Sequence, residues 1–88
     1  SQKKTFATPA AELVDAAERG DEKRLQELRS QGVNINQKNE NGYTALMAAA
    51  ERGQLNAVAQ LIAAQADVNA TNKFTWNALM LASVNGHT

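Results

Sequence analysis

Apolar residues recur along this chain at helical intervals, in pairs of segments separated by glycine. Leu46, Ala49 and Ala50 fall at i, i+3, i+4, the spacing that puts side chains on one face of an α-helix. Gly53 interrupts the run, and Leu55, Val58, Leu61 and Ile62 then form a second apolar stripe of the same kind, predicting a second helix. Ala66-Asp67-Val68-Asn69 closes the unit with Asp and Asn, which favour turns. The preceding stretch follows the same plan. Leu13, Ala16 and Ala17 mark a first helix, Pro9 suits its first turn, and Leu25 and Leu28 carry a second. Gly32 ends that second helix, ahead of the turn Val33-Asn34-Ile35-Asn36.

The pattern has a fixed period. Gly20, Gly53 and Gly86 are each 33 residues apart (53 − 20 and 86 − 53), and the segments leading into them agree: L-V-D-A-A-E-R-G, L-M-A-A-A-E-R-G and L-M-L-A-S-V-N-G. Self-similarity at that period means stacked units that bury their apolar stripes only against one another. Ala16, Ala17, Ala48, Ala49, Ala50 and Ala82 in the first helices lack bulk, so neighbouring helices can approach closely.

Asn39-x-x-Gly42-x-Thr44-Ala45-Leu46-Met47-x-Ala49-Ala50-x-x-Gly53, followed by Leu61-Ile62 and Ala66-Asp67-Val68-Asn69-Ala70, resembles the ankyrin repeat. The resemblance covers roughly residues 10–88. It implies an all-α solenoid of helix-turn-helix units with short β-like turns between them. The expected division is a flexible segment 1–8, with Phe6 its one candidate for packing, then an N-terminal capping repeat 9–37, a full repeat 38–70 and a partial repeat 71–88. Several positions depart from the family's pattern. Ala45 and Ala78 stand where it has Pro, and Met47 and Met80 where it has His, so the Thr–His hydrogen bond is absent, although Thr44 and Asn77 can still cap their helices. Thr75 replaces a turn glycine, predicting a third finger bent differently. Gln65 replaces a capping glycine, at a cost of up to ~1 kcal/mol if its backbone is left-handed.

Composition narrows the function. Nine basic and nine acidic side chains cancel, so the basic excess of a nucleic-acid binder is missing. No run approaches the ~20 apolar residues of a membrane span. Cysteine is absent and only 5% of residues are aromatic, which leaves a core of Ala, Leu, Val and Ile and excludes thiol chemistry. No phosphate-binding glycine loop occurs, and no cluster with metal-ligand spacing. The one histidine, His87, belongs to a Gly-His pair that the family uses structurally. Glu12, Asp15 and Glu18 share one helix face and read as a solvated exterior of the capping repeat rather than acid–base machinery. No cofactor is implied and no enzyme activity is expected.

The expected function is protein binding, which the family resemblance places in a concave groove flanked by finger-like turns. Tyr43 and Trp76 occupy the same repeat position (76 − 43 = 33) in two of those turns, and aromatics and Arg are frequent hot spots. Phe74 lies beside them and is the weaker candidate. Glu51 and Arg52, matched by Glu18 and Arg19 one repeat earlier and by Val84 and Asn85 one repeat later, precede the helix-ending glycines, where the family faces its groove. With Glu40, Asn41 and Lys73 they complete the expected surface. The alternative is a regulatory or targeting segment of a larger enzyme or of an exported bacterial protein; the Ala-rich T-A-L-M-A-A-A style has a bacterial look. A start at Ser1 fits either a trimmed chain or one matured by signal removal, so cytoplasmic and exported locations both stay open. The third unit reaches Gly86-His87-Thr88 where a second helix is due. The array is therefore expected to continue or to complete itself against another chain, self-association through this end included.

Overall fold

The computed structural model describes residues 5–73 and 76–86. Among them are five helices and no strand: α1 (Pro9–Arg19), α2 (Glu22–Ser30), α3 (Ala45–Glu51), α4 (Leu55–Ala63) and α5 (Ala78–Val84). Each start has a local cause. Thr8 Oγ1 accepts the Ala11 N–H at 3.1 Å, Asp21 Oδ1 that of Arg24 at 3.1 Å, Thr44 Oγ1 that of Met47 at 3.3 Å and Asn77 Oδ1 that of Met80 at 2.9 Å. Each satisfies one of the N–H groups a helix leaves without an internal partner. Helix α4 has no such cap, because the Gln54 amide instead donates to the Glu18 carbonyl at 3.0 Å and ties the start of α4 to the end of α1.

The first helices of successive units stack, with α3 packed between α1 and α5; α2 and α4 pair behind them. All of Ala45 to Ala50 in α3 is buried, which alanine side chains permit because the helix has neighbours on three sides. Leu13, Leu25, Leu28, Met47 and Leu61 fill the spaces between helices. Met47, which replaces the family's histidine, is 1% exposed and acts as core.

The predicted stripe of α4 divides between a buried and an exposed side of the helix. Leu61 is buried and Val58 half-buried, but Leu55 is 70% and Ile62 50% exposed. The buried positions are Ala57 and Leu61, four residues apart, whereas Leu55 and Ile62, seven apart, share another side of the helix. In α5 the pair Leu79 and Leu81 divides the same way, with Leu81 buried and Leu79 exposed. Phe6 is half-buried and lines a recess with Pro9, Leu28 and Val33.

The connections repeat as faithfully as the helices. Gly32 N–H donates to the Arg29 carbonyl at 3.0 Å and Val33 N–H to that of Leu28 at 3.1 Å; one period later Gln65 bonds Ile62 at 2.9 Å and Ala66 bonds Leu61 at 3.0 Å. Gln65 therefore does the work of Gly32, at φ 67° against 87°. The Gln65 side chain is exposed, and at the equivalent Gly32 a Cβ would have nothing within 4 Å. The strain at Gln65 is purely that of the left-handed backbone. Gly42 is different. Its φ is 78°, and a Cβ would lie 2.9 Å from the Lys73 backbone nitrogen, where the next finger turn passes against it. Thr75 and Phe74 lie outside the described residues.

Two substitutions separate these cases. Gln65→Gly should raise stability by some tenths to about 1 kcal/mol, the relieved strain less the extra chain entropy of glycine; a lower urea midpoint would contradict the reading. Gly42→Ala should cost about 1–2 kcal/mol or more, because strain and a backbone collision act together. Equilibrium urea unfolding with an unchanged slope measures both.

Candidate functional site

The finger turn before α3 is built around one side chain. Asn39 Oδ1 accepts the N–H groups of Asn41 at 2.9 Å and Tyr43 at 3.0 Å, while the backbone N–H of Asn39 donates to the Tyr43 carbonyl at 2.9 Å. This closes a narrow, hairpin-like loop without strands. Asn72 and Trp76 repeat the arrangement one period on, with Trp76 N–H donating to Asn72 Oδ1 at 3.1 Å and Asn72 N–H to the Trp76 carbonyl at 2.9 Å. Asn72 is 7% exposed, a buried amide held by its hydrogen bonds.

Between this finger and the ends of α1 and α3 lies an open cleft of about 330 Å³, lined by Glu18, Asn39, Asn41, Tyr43, Glu51 and Lys73. Asn41, Tyr43, Glu51 and Lys73, all expected at a binding surface, meet there. Arg52 stands at its margin, exposed, with a guanidinium nitrogen 3.8 Å from the Glu18 carboxylate. A surface pair at that distance contributes little stability and leaves the guanidinium accessible. Trp76 is 37% exposed and does not line the cleft; Glu40 is exposed and also lies outside it. The Asn85 amide donates to the Leu81 carbonyl at 2.8 Å and so closes the end of its own helix. Phe74 and His87 fall outside the described residues. Asn39 was not among the expected site residues, although its 33-residue match to Asn72 points to a turn-building role.

Tyr43 is more than a surface aromatic. Half-buried against the core, it donates its hydroxyl to Glu51 Oε2 at 2.8 Å. That bond fixes the finger to the last turn of α3 and sets the angle of the Glu51 carboxylate. Burial, then the adjacent Glu51 as bond acceptor and as negative charge, push the Tyr43 phenol above its ordinary value near 10.

The acidic residues of α1 are absorbed by ion pairs. Glu12 meets Arg24 at 2.7 Å, Asp15 meets Arg19 at 2.8 Å and Glu18 faces Arg52. Arg24 also reaches Glu27 at 3.3 Å, so it bridges α1 and α2. Among the described residues no group of three or more His, Asp or Glu is placed to hold a metal ion, and no helix is long and apolar enough to cross a membrane. What the cleft offers is hydrogen bonding and charge of both signs on a fixed backbone.

The Tyr43 phenol gives a direct pH test. A raised value in the fold means that the neutral phenol is favoured there. Its contribution is fully present below the unfolded value and is lost as pH rises through the folded one. The chain has one tyrosine, so phenolate absorbance reports this site alone. The native chain should ionise at higher pH than the urea-unfolded chain, and Tyr43→Phe should lose less stability than wild type on going from neutral to strongly alkaline pH. Equal titration of native and unfolded chains would contradict the Tyr43–Glu51 contact.

The chain matches ankyrin repeats, in three copies, over residues 13–88. Comparison with curated proteins finds no match. Ankyrin repeats are generally protein–protein interaction modules, and the family is typically non-enzymatic. With the 33-residue period, the paired helices and the Asn-built fingers in place, that match over most of its length makes the chain a member of the ankyrin repeat family.

Proposed function

We propose that residues 9–88 form one non-enzymatic binding module, with units 9–37, 38–70 and 71–88, that holds a partner protein along the face carrying the finger turns and the ends of the first helices. The observation that carries this reading is the cleft. Side chains from three successive units, Glu18, then Asn41, Tyr43 and Glu51, then Lys73, converge on one concavity. They project from backbone already fixed by caps and turn hydrogen bonds, so a partner orders little on binding. Arg52 at the margin and Trp76 on the neighbouring finger extend the surface with the two residue types most often found as hot spots. Glu40 and Asn85 belong to its rim.

The division of labour within this surface is testable. Arg52, Lys73 and Trp76 carry exposed side chains that the fold does not need, whereas Tyr43 also holds the finger. Arg52→Ala, Lys73→Ala and Trp76→Ala combined should leave the helical circular dichroism unchanged and weaken capture of a cross-linked native partner by at least about tenfold. Undiminished capture by the triple variant would defeat the proposal. Tyr43→Phe, which keeps the ring, should weaken capture less than the triple variant does.

A further inference from the structure

Asparagine is followed by glycine twice in the chain, at Asn41-Gly42 and Asn85-Gly86. Such a pair is chemically reactive because glycine has no Cβ to shield its amide nitrogen, which can reach the side-chain carbonyl carbon of the asparagine before it. The backbone treats the two pairs alike. Each glycine N–H has an acceptor, the Asn39 carbonyl for Gly42 at 2.9 Å and the Ser83 carbonyl for Gly86 at 3.1 Å, and both glycines are left-handed, at φ 78° and 76°. The difference lies in the asparagine side chains. Asn85 Nδ2 donates to the Leu81 carbonyl at 2.8 Å, which holds that amide against its own helix. The opposite amide orientation would set oxygen against oxygen, so the contact itself fixes the assignment. The Asn41 side chain is exposed and makes no hydrogen bond among the described residues. Only its backbone N–H is held, by Asn39 Oδ1 at 2.9 Å, which leaves the amide free to turn towards Gly42.

We propose that Asn41 is a site of spontaneous deamidation in the native fold, and that it reacts ahead of Asn85. The Gly42 amide nitrogen gives up its proton to solvent and bonds to Asn41 Cγ. The bond from Cγ to the side-chain nitrogen breaks, and that nitrogen takes up protons from water and leaves as ammonia. Water then opens the cyclic succinimide. Opening at Cγ yields aspartate in the ordinary main chain; opening at the main-chain carbonyl yields isoaspartate, in which the chain runs through Cβ. No electrons are transferred, and water is the co-reactant. The Gly42 nitrogen must first leave the Asn39 carbonyl, so the reaction passes through local opening of the finger tip.

Either product changes the cleft that Asn41 lines. Aspartate adds a carboxylate to a lining that already sets Glu18 and Glu51 against Lys73. Isoaspartate adds a main-chain atom to a turn closed by bonds from Asn41, Gly42 and Tyr43 to Asn39. That turn lies so near the next finger that a Cβ on Gly42 would meet the Lys73 nitrogen at 2.9 Å. A lengthened turn cannot keep the contact and the bonds together, so the finger shifts. For a binding cleft the site then acts as an irreversible clock. This consequence rests on the proposed function, whereas the reaction does not.

Tryptic mapping with tandem mass spectrometry, after the 88-residue chain has stood for weeks in mildly alkaline buffer, tests the site without any partner. Cleavage after Lys38 and Arg52 isolates Asn41 in peptide 39–52, and Asn85 falls in the peptide that follows Lys73. In the native chain Asn41 should gain the mass of an amino group replaced by hydroxyl at least about fivefold faster than Asn85. In the guanidinium-unfolded chain the two should convert at similar rates, because only the fold separates them. Asn41→Gln should remove the early release of ammonia while keeping the helical circular dichroism. Native conversion of Asn85 as fast as that of Asn41 overturns the proposal, as does an Asn41 that stays intact in the native chain while the unfolded chain converts.

Discussion

The close approach of α3 to its neighbours is the constraint on which the rest of the structure depends. Six consecutive residues of this helix, Ala45 to Ala50, are buried, and four of them are alanines. Larger side chains on that cylinder would push α1 or α5 outward, and interiors packed like organic crystals yield little to such a push. The spacing of the first helices then sets the spacing of everything attached to them. The fingers inherit it, and at Gly42 the separation is so small that a Cβ would strike the next finger's backbone. The cleft inherits it as well, because Glu18 and Glu51 reach it from equivalent places on adjacent helices.

Hydrogen bonds from side chains to backbone translate this packing into fixed loops. Asn39 and Asn72 organise their fingers, Asn34 and Asp67 do the same behind the second helices, and Asn36 Oδ1 accepts the Asp67 N–H across units at 2.8 Å. These polar residues recur at the repeat period because the turn they build recurs. A loop made this way has its shape settled by its own hydrogen bonds, so any molecule that docked on it would order little of the chain.

Much of the fold was legible in the sequence because one period governs both hydrophobicity and punctuation. The caps at Thr44 and Asn77, the left-handed backbone at Gln65 and the core role of the alanines all follow from residue types at repeat-equivalent positions. The side of α4 that is buried did not follow. Hydropathy weights Leu55 and Ile62 above Ala57, yet the small Ala57 is what fits against the adjoining helices. The candidate site was legible as a set of equivalent positions, but not as a set of contacts. No spacing rule announces that the Tyr43 hydroxyl reaches Glu51, that Asn85 turns back on its own helix, or that Asn39 lines the cleft, since these depend on loop geometry and not on the helical period.

The ties that cross between units have nearly uniform reach in sequence: Asp67 to Asn36 spans 31 residues, Gln54 to Glu18 spans 36 and Gln60 to Glu22 spans 38. All three cross the junction between the first unit and the second, and each closes a loop of similar length at a similar entropic cost. Order in such a molecule spreads from neighbour to neighbour, and its cooperativity is carried at the junctions. Helix α3 belongs to two of them and α1 and α5 to one each. Loosening α3 uncouples both sides at once, whereas either outer helix can open and reclose while the other junction holds. The cleft, formed where α1, α3 and the next finger meet, needs both junctions closed, so any molecule that bound there would be linked to the cohesion of the stack.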